Sequence, residues 1–276
     1  MVGAMRKSVV AAGCVALGLC ALIGAGSASA QEADREVINQ TALLQSLTLG
    51  YYDGSVTVGQ LKELGDTGIG TFDGVDGELI MLDGHVYQAA GDGSVNEMDD
   101  DVTVPFCDVT FFDADTTVDL GAVGSLDELK SMLDEQVAQL GENNFYMVQI
   151  AANCSSIYVR SEYGQTEPYE PLAQVLERDQ TEFSYENVNG TLVGLYCPSY
   201  ASSINMPGWH FHFVSADATV GGHVLDVQFD SAVLQMDSTP SIKVTVPDTD
   251  EFNALDLSVD QSSDIKQVEE DPKASE

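Results

Sequence analysis

The sequence predicts a mixed α/β protein in two parts. Residues 31–143 form a mixed sheet with helices, and residues 144–261 form a β-rich C-terminal half that carries a histidine cluster. Three observations predict this. Helical spacing is confined to the first half, strand-length apolar runs dominate from Phe145 onward, and three of the four histidines fall between positions 210 and 223.

Residues 1–30 read as an export leader rather than as part of the fold. Arg6 and Lys7 make a short basic start, Val9 to Ala25 is uncharged and apolar, and Ala28-Ser29-Ala30 is a small-residue cleavage pattern. Cleavage near Ala30 would release a secreted chain with no membrane anchor. A retained anchor fits less well, because the apolar run falls short of the ~20 residues that cross a bilayer.

After a polar start, Glu36 to Gly50 reads as a helix with Val37, Ile38, Leu43, Leu44 and Leu47 on one side, and Thr57 to Leu64 as a shorter helical turn closed by Gly65. Gly68 to Thr71 leads into Glu78 to Leu82, an Asp83-Gly84 turn and His85 to Gln88. That is a hairpin signal, since Asp-Gly supplies the positive φ angles a two-residue turn needs. Gly91 to Asp101 reads as an acidic loop and Val102 to Phe112 as strand. Ser125 to Leu140 is the clearest helix, with Ser125 and Glu128 as a capping box, Leu126, Leu129, Met132, Leu133, Val137 and Leu140 on one face, and Gly141 as its stop. Strands are expected at 145–151, 156–159, 191–196, 209–214, 223–229 and 242–246. Residues 262–276 are charged and read as a frayed tail.

Charge narrows the function classes. Forty-five acidic residues against ten basic ones give a net charge of −35, too little positive charge to build a phosphate-binding surface. Nucleic acid and anionic membranes are therefore excluded as partners. Cys107, Cys154 and Cys197 follow the leader without a C-x-x-C spacing, so they are buried thiols or one bridge with a spare.

In Trp209-His210-Phe211-His212-Phe213, alternation puts His210 and His212 on one face of a strand and the two phenylalanines on the other, toward the core. Ten residues later, Gly221-Gly222-His223 fits an antiparallel neighbour that brings a third imidazole alongside. Three imidazoles from two strands make an open metal site suited to catalysis; the alternative is a set of surface or hydrogen-bonded histidines.

Pro207 to Phe213 together with Gly221 to Leu225 resembles the metal-binding segment of the α-acetolactate decarboxylase family. Gly68 to Phe72, Asp76 to Ile80, Pro168-Tyr169 and Gly190 to Gly194 resemble further blocks of that family in the same order, so the likeness spans roughly Asn39 to Glu269. The resemblance implies a zinc ion held by His210, His212 and His223. It implies decarboxylation of 2-acetolactate to acetoin and CO2 through a metal-stabilised enediolate, and a homodimer. It assigns catalytic roles to Glu78, Arg160 and Glu269, with Arg160 and Thr71 binding substrate. Glu269 follows from an ungapped register running from His223; a one-residue slip gives Glu270 instead, and either requires the tail to fold back over the metal. The chain departs from the family around Glu167, where some relatives carry a second basic residue. Two alternatives remain open on the residues: a non-catalytic extracellular metal-binding module, whose site a fourth protein ligand would close, and a zinc hydrolase, which only its products would distinguish.

Overall fold

The structure, a computed structural model, describes residues 33–259 and 261–269. The expected leader at residues 1–30, Glu270 and the end of the tail lie outside the described residues.

The stretch read as one helix, Glu36 to Gly50, divides in two. Val37–Thr41 is strand β1, and only Leu44–Thr48 is helical (α1). β-Branched Val37 and Ile38 instead pair in parallel with Ser241 and Ile242, so a distant partner overrides the local spacing. Val56–Thr57 (β2) then precedes α2, Val58–Lys62, where the Thr57 hydroxyl accepts from Gln60 N at 3.2 Å. Next come β3 (Thr67–Thr71), β4 (Glu78–Leu82), β5 (His85–Ala89), β6 (Val95–Glu97), β7 (Thr103–Val104) and β8 (Phe106–Thr110). The β4–β5 hairpin turns as expected on Asp83 and Gly84, at φ 52° and 79°. β6 lies inside the expected acidic loop.

Thr116–Leu120 (β9) leads to α3, Leu126–Leu140, whose Ser125 cap accepts from Glu128 N at 3.2 Å. The reciprocal arm of the expected capping box reaches one residue further back, since Glu128 Oε2 accepts from Gly124 N. Leu126, Leu129, Leu133 and Val137 are buried as expected, whereas Leu140 is exposed. The second half holds β10 (Phe145–Glu162), α4 (Leu172–Asp179), β11 (Gln180–Cys197), β12 (Gly208–Ser215), β13 (Gly221–Thr239), β14 (Ser241–Thr245), α5 (Asp250–Asn253) and α6 (Ser262–Glu269). No helix of the described residues is long and apolar enough to cross a membrane.

Among the described residues two large sheets result, one ordered β14-β1-β8-β3-β4-β5-β6 and one ordered β10-β11-β12-β13-β9, beside a small antiparallel pair of β2 and β7. In the second, β10 also pairs with β13, which curls that sheet round on itself. The parts expected at 31–143 and 144–261 thus exchange strands: β9 from the first joins the second sheet, and β14 from the second edges the first. One core packs α3 on the outer face of the second sheet, against Val148, Ile150, Phe211, Phe213 and Phe229. A second fills the space between the sheets, with Ile69, Ile80, Met147, Val193 and Val214. Cys107, Cys154 and Cys197 are all buried free thiols.

Behind the inter-sheet core, Asp108 on β8 is 1% exposed. Its Oδ2 accepts from Asn205 at 2.8 Å, while Oδ1 finds no partner among the described residues. Burial pushes its pKa up to about 7, against the pull of the Asn205 hydrogen bond. A folded-state value above the unfolded ~3.9 means the folded chain holds the extra proton, and stability falls as pH rises through that window. Asp108→Asn should therefore leave the melting temperature unchanged near pH 4 and raise it near pH 8, read by thermal melts at both pH values.

Candidate active site

Strand register assembles the site. Arg160 on β10 pairs with His223 on β13, and His223 pairs with His212 on β12, so the three lie side by side in one row across the second sheet. His210 and Glu162 sit two residues from His212 and Arg160 and share that face. Gly222, at φ 144°, permits the tight crossing, since a Cβ there would fall 2.6 Å from Arg160 O. The opposite face of β12 is fixed by Phe211 and Phe213 in the core and by Trp209 Nε1, which donates to Asp134 at 2.9 Å.

The first sheet supplies Thr71 and Glu78, cross-strand partners at the ends of β3 and β4. The tail supplies the rest. Residues 262–269, expected to fray, form α6 and bury Ile265 and Val268 against Leu44, Leu47, Leu172 and Val175. Two apolar residues three positions apart suffice once α1 and α4 offer a groove, and composition alone does not register them.

His210 Nε2 lies 3.0 Å from both His212 Nε2 and His223 Nδ1. Backbone carbonyls hold the other nitrogens of two rings, with His212 Nδ1–H donating to Leu79 O at 2.8 Å and His223 Nε2–H donating to Glu269 O at 3.2 Å. A carbonyl can only accept, so each of these rings turns an unprotonated nitrogen toward His210. A single His210 proton cannot bridge both. The cluster is short of protons and suits a cation, which is the donor set expected of an open three-histidine metal site. Burial, aided by the Arg160 charge, keeps the rings neutral: His210 is pushed down to about 3, and His212 and His223 lie well below the ordinary range.

Carboxyls flank the histidines. Glu78 Oε2 lies 3.2 Å from His212 Nε2, and Glu269 Oε2 lies 3.3 Å from His210 Nε2. Burial, reinforced by neighbouring Glu162, raises the Glu78 pKa well above its usual range; burial raises Glu269 to about 7 against the pull of Arg160 and Lys130. Arg160 is 4% exposed. Its guanidinium donates to Val268 O and to Gln180 Oε1, leaving Nε without a partner among the described residues. Thr71 donates its proton to Gly77 O at 2.8 Å, so its lone pairs rather than its proton face the pocket.

The structure thus brings together Thr71, Glu78, Arg160, His210, His212, His223 and Glu269 around one pocket, with Leu44, Leu47, Val75, Phe106, Leu172 and Leu176 as its apolar wall. Sequence reasoning missed Glu162, which lines the same pocket, although its place two residues beyond Arg160 on a strand already put it on the same face. It also missed α4, whose signal was Pro171 followed by Leu172, Val175 and Leu176.

A pocket with three proton-poor imidazoles, one guanidinium and buried carboxyls defines an enzyme site built for acid–base chemistry beside a cation. The alpha-acetolactate decarboxylase family profile matches residues 38–259. Alpha-acetolactate decarboxylase of Methanosarcina mazei is 38% identical, over 85% of this chain and 80% of its own. That of Brevibacillus brevis is 36% identical, over 89% and 85%. The crystal structure of the Bacillus subtilis strain 168 enzyme superposes with a TM-score of 0.81 at 30% identity, covering 85% of this chain and 100% of that one. The chain belongs to the alpha-acetolactate decarboxylase family.

Proposed function

We propose that the chain is a zinc-dependent carboxy-lyase that converts 2-acetolactate to acetoin and CO2, and that it works as a secreted homodimer. Family membership carries the activity. The observation that carries the mechanism is the convergence of His210, His212 and His223 on one point, with two of the rings held unprotonated toward it by Leu79 O and Glu269 O.

Zinc held by these three imidazoles would supply, when bound, a Lewis acid for the adjacent hydroxyl and ketone oxygens of the substrate. Arg160 takes the substrate carboxylate with its free Nε–H, while one N–H of each terminal nitrogen anchors the guanidinium on Gln180 Oε1 and Val268 O. Thr71 accepts from the substrate hydroxyl. When the bond to the carboxylate breaks, CO2 leaves and the electron pair stays on carbon as an enediolate. Glu78, kept protonated toward neutral pH by burial, delivers a proton to that carbon and acetoin results. Glu269 is the second carboxyl beside the histidines, carried there by α6.

Secretion rests on the leader pattern of residues 1–30, and the dimer on the family resemblance. Chain recovered from medium should begin at Gln31 and sediment as a dimer; a monomer, or a cell-retained chain beginning at Met1, would overturn these two readings. Metal analysis should find about one zinc per chain. Iron or manganese in its place would overturn the zinc assignment and leave the histidine site standing.

A further inference from the structure

Glu162 is a buried carboxyl to which the reaction above gives no part. It is 2% exposed, lines the pocket and follows Arg160 by two residues on β10. Its side chain shares a hydrogen bond with Glu78, and its Oε2 finds no partner among the described residues. The backbone beneath it is anchored. Ser161, pointing to the other face, donates to Ala89 O on β5 at 2.7 Å, which ties this end of β10 to the first sheet.

A carboxyl in this setting is a poor structural element. Burying it with one oxygen unmatched costs free energy that an apolar side chain of the same length would not, and the leucines and valine of the pocket wall are the natural company for such a replacement. The position therefore carries a polar group at the expense of stability, in the one place where that group touches the acid of the site.

We propose that Glu162 is a positioning residue for Glu78, holding that carboxyl beside the histidines through the hydrogen bond between the two side chains. Glu78 is otherwise held by its place at the start of β4 and by His212 Nε2, 3.2 Å from its Oε2, and a proton donor displaced by an ångström loses much of its effect. The anchored β10 backbone supplies the rigid support that such an orientation needs. The proposal rests on the assignment of proton transfer to Glu78.

The test compares the wild-type chain with Glu162→Met and Glu162→Gln, reading CO2 release from 2-acetolactate, bound metal and melting temperature. Glu162→Met is expected to melt at or above the wild-type temperature, keep its metal, and lose about 10²-fold in kcat with KM within about threefold. Glu162→Gln, whose amide can donate to or accept from Glu78, is expected to recover kcat to within about tenfold of wild type. A Met variant with wild-type kcat overturns the proposal. So does one whose loss lies in KM alone, one that melts lower or fails to fold, or a Gln variant no better than Met. Failure of the functional reading shows separately, as a wild-type chain that releases no CO2. A crystal structure of Glu162→Met then decides the proposal by itself, because Glu78 unmoved from its place 3.2 Å from His212 Nε2 would overturn it.

Discussion

His210→Ala is expected to reduce bound zinc from about one per chain to less than about a tenth, and CO2 release from 2-acetolactate by about 10³-fold or more. His210 Nε2 is the hub of the cluster, 3.0 Å from the facing nitrogens of both other rings. Its loss leaves two ligands on adjacent strands, too few for the tetrahedral sites that three imidazoles and one open position make. The scale follows from charge stabilisation by the metal, worth several kcal/mol in a dry pocket, with each 1.4 kcal/mol amounting to a factor of ten. The fold should survive, because His210 lies at the pocket and the core residues of β12 point the other way. Metal analysis and turnover on one preparation check this, and turnover kept in a metal-free variant would contradict it.

Glu78→Gln separates acid–base work from metal binding. The amide keeps the size of the side chain and its hydrogen bond to Glu162 but can no longer pass a proton. We expect zinc content and melting temperature to hold while kcat falls by about 10²–10⁴-fold. Loss of zinc would instead make Glu78 a ligand, which its Oε2, 3.2 Å from His212 Nε2, is near enough to become. Retention of full kcat would move proton delivery to Glu269, the other carboxyl beside the histidines.

Local signals located the parts of the site that local geometry controls. Alternation along Trp209 to Phe213 set the two histidines on one face and the phenylalanines in the core, and Asp83-Gly84 set the hairpin that carries Glu78. Ser125 and Gly141 bounded α3 because a cap and a stop act within a few residues. What distant pairing decides was not legible. Val37 and Ile38 are strand because Ser241 and Ile242 lie beside them, and β9 is strand because residues 232–236 pair with it. The place of Arg160 beside His223 depends on a register between strands distant in the chain. The tail shows the same limit, since Ile265 and Val268 make a helix face only where α1 and α4 receive it. Resemblance to a family supplied Arg160 and Glu269; it did not supply Glu162, for which the one signal was its place two residues beyond Arg160 on the same strand face.

The most direct test of the account follows CO2 and acetoin from 2-acetolactate with the purified chain as isolated, after chelation, and after zinc is restored. Equal yields of the two products as isolated, near-complete loss on chelation and recovery with about one zinc per chain are what the account predicts. Decarboxylation that persists undiminished in the chelated, metal-free chain would contradict it.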